Sequence, residues 1–96
     1  MPNGFGCRVD ANQKEIVAAL KNVGASIIDT ARVGKGVPDL IVGFRNETFL
    51  MEIKNPKTQY GKKGFNKLQA EWANNWNGGK VSIVRTIEEA LKAIGL

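Results

Sequence analysis

Residues 38–54, PDLIVGFRNETFLMEIK, decide the reading of this chain. Pro38 to Phe44 has the β-branched and aromatic composition of one strand, and Thr48 to Lys54 that of a second, with Arg45-Asn46-Glu47 at the turn. If Arg45 and Asn46 form a two-residue loop, Phe44 faces Glu47 and Asp39 lies directly across from Glu52. Cross-strand partners of this kind have Cβ atoms roughly 5 Å apart. Lys54, two positions beyond Glu52, then projects from the same face as both carboxylates. Carboxylates so close repel unless a cation sits between them, and a divalent metal with an ammonium beside it meets that need. Arg-Asn is not the Asn-Gly pair that fixes a tight turn, so the register stays open. A four-residue loop sets Asp39 opposite Lys54 and keeps all three groups on one face. A three-residue loop puts Asp39 and Glu52 on opposite faces unless a bulge restores the phase. Both faces of the hairpin are apolar, so the pattern does not choose among these, and the sheet is expected to be covered on both sides.

Outward from the hairpin, Asp10 and Gln13 mark a helix start, and Ile16, Val17, Leu20 and Val23 form its apolar stripe up to a stop at Gly24. Residues 25–30 read as the first strand. Arg32-Val33-Gly34-Lys35-Gly36 is a basic loop delivering the chain to Pro38, which lacks a donor and suits a strand's first position. Asn55-Pro56 ends the hairpin, and residues 58–61 read as loop. Phe65, Leu68, Trp72 and Trp76 recur at helical spacing, so residues 65–77 form an amphipathic helix whose tryptophans belong to the core or to a subunit interface. Val81 to Val84 is the last strand. Thr86-Ile87-Glu88-Glu89 is a capping box opening a helix that buries Ile87, Leu91 and Ile94 and ends at Gly95. The fold class is therefore α/β, one domain over residues 1–96 in the order α-β-β-β-α-β-α, a mixed central sheet flanked by helices.

Composition narrows the chemistry. The chain has 96 residues, 14 Lys plus Arg against 9 Asp plus Glu, a net charge of +5 and a pI near 9.6. That balance favours polyanionic partners. Histidine is absent. Imidazole acid–base work, His-containing zinc sites and the usual hydrolase triads are thereby excluded, leaving carboxylates, lysine, metal and water. The single cysteine, Cys7, forms no intramolecular disulfide, the first residues lack signal-peptide regions, and no apolar run reaches membrane-spanning length; the expected setting is a reducing cytoplasm. A charged residue inside a run as apolar as Phe49-Leu50-Met51-Glu52-Ile53-Lys54 needs a reason. Spacing alone leaves two: a metal site, or an ion pair at the strand's solvated end.

Pro38-Asp39, a hairpin and then Glu52-Ile53-Lys54 match the Pro-Asp…(Asp/Glu)-x-Lys signature of the PD-(D/E)XK nuclease superfamily. More narrowly, Gly36-Val37-Pro38-Asp39-Leu40-Ile41-Val42-Gly43 and Glu52-Ile53-Lys54, followed by Gln69 to Trp72, Gly79, Val81 and Val84-Arg85-Thr86, resemble the virus-type replication-repair nuclease (VRR-NUC) family, from about Glu15 to the last helix. The family's Val-Arg-Arg after the last strand reads Val84-Arg85-Thr86 here. The resemblance implies a restriction-endonuclease-like core and a metal-dependent DNA endonuclease. In it, Asp39, Glu52 and the carbonyl of Ile53 bind Mg²⁺ or Mn²⁺, Lys54 positions or deprotonates the attacking water, and Gln69 holds Lys54 or the water. It also offers Glu15 as an additional helical acid, about 100° around the first helix from Ile16; the other reading of Glu15 is a solvated surface glutamate. Lys57, Lys62, Lys63 and Lys67, with Lys35 and Arg32, are candidate phosphate contacts. Stand-alone members resemble Holliday-junction resolvases and pair as homodimers, which implies branched or flapped DNA as substrate and a phage or prophage source. Two other readings remain: a catalytically silent nucleic-acid-binding module on the same scaffold, and an assembly protein using the tryptophan helix as its interface.

Overall fold

The structure is a computed structural model that describes residues 11–58 and 63–96. Asp10, Cys7, Lys62 and the loop residues 59–61, all part of the expectations above, lie outside them. The elements are α1 (Ala11–Asn22), β1 (Ser26–Asp29), β2 (Leu40–Phe44), β3 (Glu47–Ile53), α2 (Lys67–Asn75), β4 (Val81–Val84) and α3 (Ile87–Ala93). The four strands form one sheet in the order β1-β2-β3-β4, antiparallel except for the parallel β3–β4 pair. This is the mixed α/β arrangement, in the element order, read from the sequence. Among the described residues no helix is long and apolar enough to cross a membrane.

Of the three loop lengths left open, the chain takes the shortest. Phe44 pairs with Glu47, Val42 with Phe49 and Leu40 with Met51. Arg45 (φ 51°) and Asn46 (φ 68°) both adopt left-handed backbone, the geometry of a type I′ turn, whose twist matches that of the flanking strands. Asn tolerates this conformation well; Arg45 does so less readily. Its guanidinium lies 4.8 Å above the centre of the Phe44 ring, a cation–π contact that favours the bend.

The register divides the sheet into two unlike faces. Leu40, Val42, Met51, Ile53 and Val84 point to one, where Ile16 and Leu20 of α1 and Ala90 and Ile94 of the α3 end complete a closed core. Gly24 (φ 97°) ends α1 as expected, and the Ala25 N–H bonds back to the Leu20 carbonyl at 3.0 Å. The other face carries Ile28, Ile41, Leu50, Val81 and Ile83, and α2 lies over only part of it. Leu50 and Val81 are buried, whereas Ile28 is 59% exposed. No residue of α2 is buried, and Leu68 and Trp76 are 52% and 46% exposed. This corrects the core alternative for the tryptophans: Trp72 and Trp76 stack on each other with centroids 4.9 Å apart, on the surface of the chain. The helix is also shorter than its apolar spacing implied, because Asn66 caps it and Trp76 leaves it in extended backbone. The capping box at α3 is half formed. Thr86 accepts from the Glu89 N–H at 3.1 Å, but the Glu89 carboxylate takes the Arg85 N–H, at 2.6 Å.

One close approach ties α2 to the loop before β2. Gly36 has φ 83°, and a Cβ placed there meets the Leu68 carbonyl oxygen, lies 2.8 Å from that carbonyl's carbon and 3.1 Å from the Trp72 Cβ. Gly34, two residues earlier with φ 70°, has open space at the same point. Gly34→Ala is therefore expected to destabilise the fold by about 1 kcal/mol, the strain of left-handed backbone alone. Gly36→Ala adds displacement of a helix backbone and is expected to reach about 3 kcal/mol. Urea unfolding of the two variants checks the difference, and equal midpoints would show that the loop and α2 are not pressed together.

Candidate functional site

Asp39 enters the sheet one residue before β2, where its backbone is held by its neighbour: the Asp39 carbonyl accepts the Thr30 N–H at 2.7 Å, and the Thr30 hydroxyl donates to the Pro38 carbonyl at 2.6 Å. Extending the β2–β3 register by one step brings Asp39 opposite Glu52 on the α2 face. Oδ2 of Asp39 accepts the Ile53 N–H at 2.8 Å. A strand residue directs its N–H and C=O to the same edge, so the Ile53 carbonyl also leaves toward the Asp39 side. Lys54, just past β3, is fixed through its backbone. Its N–H bonds to the Val84 carbonyl at 2.9 Å, and its carbonyl accepts from Asn12 Nδ2 at 2.8 Å.

Gln69 connects the charged groups. Its Nε2 donates to Glu52 Oε2 at 2.8 Å, and its Oε1 accepts from Lys54 Nζ at 2.8 Å and from the Asn66 N–H at 3.0 Å. The Asn66 side chain in turn caps the Gln69 N–H at 2.9 Å, so the same capping box that starts α2 orients the amide used at the site. Lys54 Nζ stands 3.8 Å from Glu52 Oε2. Four polar side chains from two strand ends and one helix thus converge in a single bonded cluster.

The electrostatics of the cluster are dominated by desolvation. Glu52 is 4% exposed. Burial, and next the negative charge of Asp39, push its carboxyl up to about 8, against an attraction from Lys54 that acts the other way. Burial also raises Asp39, although the Ile53 N–H stabilises its ionised form; Asp29, on the opposite face of β1, adds a weaker repulsion. Burial and mutual repulsion thus both favour the protonated form of the pair. By type the donor set suits a hard divalent cation: two neighbouring carboxylates and the Ile53 carbonyl are oxygen ligands, and a cation there would offset the charge of the ionised acids. Among the described residues no group of three or more acidic or cysteine side chains assembles.

Glu15 is not brought to this cluster. Ile16 is fully buried in the core on the other face, and Glu15 is exposed beside it, lining a cleft with Asn12, Asn55 and Lys57 and making no bond to the cluster. The α1 side chains that do turn inward are Gln13, bonded to Asp29 at 3.4 Å, and Asn12. Lys35, Lys57, Lys63 and Lys67 are exposed, as is Arg32. Lys35 sits in the left-handed run with Gly34 and Gly36, and Lys67 opens α2. Sequence reasoning missed Asn66 and Asn12. The first left a signal, since Asn66-x-x-Gln69 has capping-box spacing; the second left none, as its partners are backbone carbonyls far along the chain.

Compared with known proteins, the chain matches no family model, no curated protein and no solved structure.

A raised carboxyl binds its proton more tightly in the fold than in the unfolded chain. Stability therefore falls as pH rises from the ordinary glutamate value of 4.5 to about 8 and is unaffected by this group below that window. In chelator, the urea midpoint of the protein is expected to decline between about pH 5 and about pH 8. Glu52→Gln, which keeps the bond to Gln69 without the charge, should flatten that slope and be the more stable form at the alkaline end. An unchanged slope in the variant would remove Glu52 as its source.

Proposed function

We propose that the chain is a metal-dependent endonuclease of the PD-(D/E)XK kind, similar to the VRR-NUC family, that hydrolyses phosphodiester bonds in branched or flapped DNA. The observation that carries this reading is the single cluster formed by Asp39, Glu52, Lys54 and Gln69 at one end of the sheet. A structural ion pair needs one acid and one base. It does not account for a second buried carboxyl, nor for an amide bonded to both charged partners.

In this reading Asp39, Glu52 and the Ile53 carbonyl hold Mg²⁺ or Mn²⁺. Such an ion, when bound, lowers the pKa of a water and stabilises the charge that develops on the phosphate. The ionised carboxylates would be the binding form, so cation binding and protonation of the pair would compete. Gln69 fixes the two active side chains relative to each other: its amide nitrogen restrains Glu52 and its oxygen restrains Lys54. Lys54 Nζ has donors to spare after its bond to Gln69. It directs one to the attacking water or to a non-bridging phosphate oxygen, aligning the two for in-line displacement. Burial strengthens each of these interactions. Lys35, Lys57, Lys62, Lys63 and Lys67 supply backbone contacts, which makes affinity fall with salt and carries no base identity. Selectivity then comes from the shape of the DNA. A homodimer suits both a two-armed substrate and the chain's uncovered apolar side chains, with Leu68 and Trp76 of α2 as its contact.

The test is cleavage of labelled junction, flap and linear duplexes with Mn²⁺ or Mg²⁺. Cutting of the branched substrates is expected, reduced about 100-fold or more by Lys54→Ala or Glu52→Gln and about 10-fold or more by Gln69→Ala, with unchanged circular dichroism. A folded, DNA-binding protein that cuts none of them with either metal would leave the binding-module reading in its place.

A further inference from the structure

Lys54 stands at a fork. β3 and β4 run parallel with Ile53 beside Val84, so Lys54 and Arg85 are the neighbouring pair at which both strands leave the sheet. The Lys54 N–H still bonds across to the Val84 carbonyl at 2.9 Å, but one residue later the chain turns away at Asn55, which takes the N–H groups of Lys57 and Thr58. Where the strands part, Asn12 reaches between them from the first turn of α1. Its Nδ2 donates to the Lys54 carbonyl at 2.8 Å and to the Arg85 carbonyl at 3.4 Å. An amide nitrogen carries two hydrogens, which suits a pair of adjacent, uncharged acceptors. An asparagine at the start of a helix ordinarily serves as a cap, through its oxygen. Asn12 has a different use: its Oδ1 is buried and, among the described residues, accepts no hydrogen bond. Turning the amide over would set that oxygen against two carbonyls, so the orientation is fixed. A sealed acceptor without a donor destabilises a fold. Nor does α1 owe its seat to this side chain, since Ile16 and Leu20 are fully enclosed in the core. What Asn12 secures is the root of Lys54.

We propose that Asn12 is a positioning residue for Lys54: by fixing the carbonyl at which β3 ends, it sets the direction in which the ammonium leaves the backbone. The proposal rests on the nuclease reading for what Lys54 does, and adds what aligns it. The Lys54 side chain is 12% exposed. Its tip is held by Gln69 Oε1 at 2.8 Å, and its root by the Val84 carbonyl and Asn12. These two anchorages differ in firmness. Gln69 belongs to α2, which has no buried residue, whereas Asn12 belongs to a helix locked into the aliphatic core. A tip tie on a loosely seated helix can follow a displaced lysine but cannot restore its aim. A lysine spans about 6 Å from Cα to Nζ, so a turn of about 10° in the peptide at its root carries the ammonium about 1 Å; where a site works by alignment, that displacement costs up to about 100-fold. Asn12 thereby transmits the rigidity of one face of the sheet to the reactive amine on the other, while itself touching neither metal nor substrate.

Two measurements test this, the first without metal or DNA. Asn12→Leu nearly keeps the side-chain volume and removes the tie together with the orphaned oxygen, so the melting temperature is expected to stay within about 5 °C of the parent protein. In chelator, reductive methylation of the lysines is followed residue by residue by mass spectrometry. The variant should be labelled at least about fivefold faster at Lys54, the scale of one lost hydrogen bond, and at unchanged rates at Lys21 and Lys92. In Mn²⁺ with branched DNA, Asn12→Leu is expected to lower kcat about 10-fold with KM unchanged, and to lower it no further in a Lys54→Ala background. Unchanged labelling of Lys54, or full kcat with Lys54 freed, would overturn the proposal. Equal losses in the two backgrounds, or an unfolded variant, would overturn it as well, since either makes Asn12 a support of the fold and not of the lysine. Faster labelling of Lys54 in a protein that cuts no DNA leaves Asn12 as the residue that places Lys54 and sinks the nuclease reading alone; cutting that ignores Asn12 sinks the positioning alone.

Discussion

The fold and the site both turn on one pairing, Asp39 opposite Glu52. Two acids are placed side by side in a desolvated position, and they stay there because the hairpin permits no slippage. Arg45 and Asn46 take left-handed backbone, the loop closes in two residues, and every later pair follows. A slip of one residue would carry Glu52 into the aliphatic core with Met51 in its place on the polar side. The core itself resists that exchange, since Leu40, Val42 and Met51 are fully enclosed on their face. The packing of one side of the sheet thus holds the repulsion on the other.

The rest of the cluster reads as a response to that repulsion. Burial favours the protonated state of both carboxyls, and each surrounding group offsets part of the cost of ionising them. The Ile53 N–H serves Asp39, the Gln69 amide serves Glu52, and Lys54 supplies positive charge from close by. None of these groups is placed by chance of a long flexible side chain alone. Lys54 is pinned at its own N–H and carbonyl, and Gln69 by the Asn66 cap. The arrangement is ordered before any ligand arrives, which is what a site that works by alignment requires.

Much of this was legible in the sequence, for identifiable reasons. The strands declared themselves through β-branched runs, and α1 and α3 through 3.6-residue periodicity with Gly24 and Gly95 as stops. The hairpin register was not decided by pattern, because aliphatic residues line both faces; it required the turn geometry, which Arg-Asn does not announce. The polar members of the cluster were visible because charge in an apolar strand is conspicuous. Asn12 was not, since an asparagine in a first helical turn is commonplace and its acceptors are main-chain atoms. The tryptophans misled in another way. Helical spacing identifies a shared face but says nothing about what lies opposite it, and here the sheet under α2 is only partly covered. Glu15 shows the same limit: its helical phase could be read, but not which flank of α1 looks toward the cluster.

That poorly buried helix carries Gln69. With no enclosed side chain of its own, α2 is retained by polar bonds at its first turn and by the tight abutment of Gly36 on the Leu68 carbonyl. Segments held so lightly open locally at far lower free energy than the whole domain unfolds. The molecule therefore carries a lightly held helix over an enclosed sheet. Detaching α2 withdraws the amide that bridges acid and amine while leaving the enclosed aliphatic layer intact, so the polar cluster can be dismantled and rebuilt many times within the lifetime of a single folded chain.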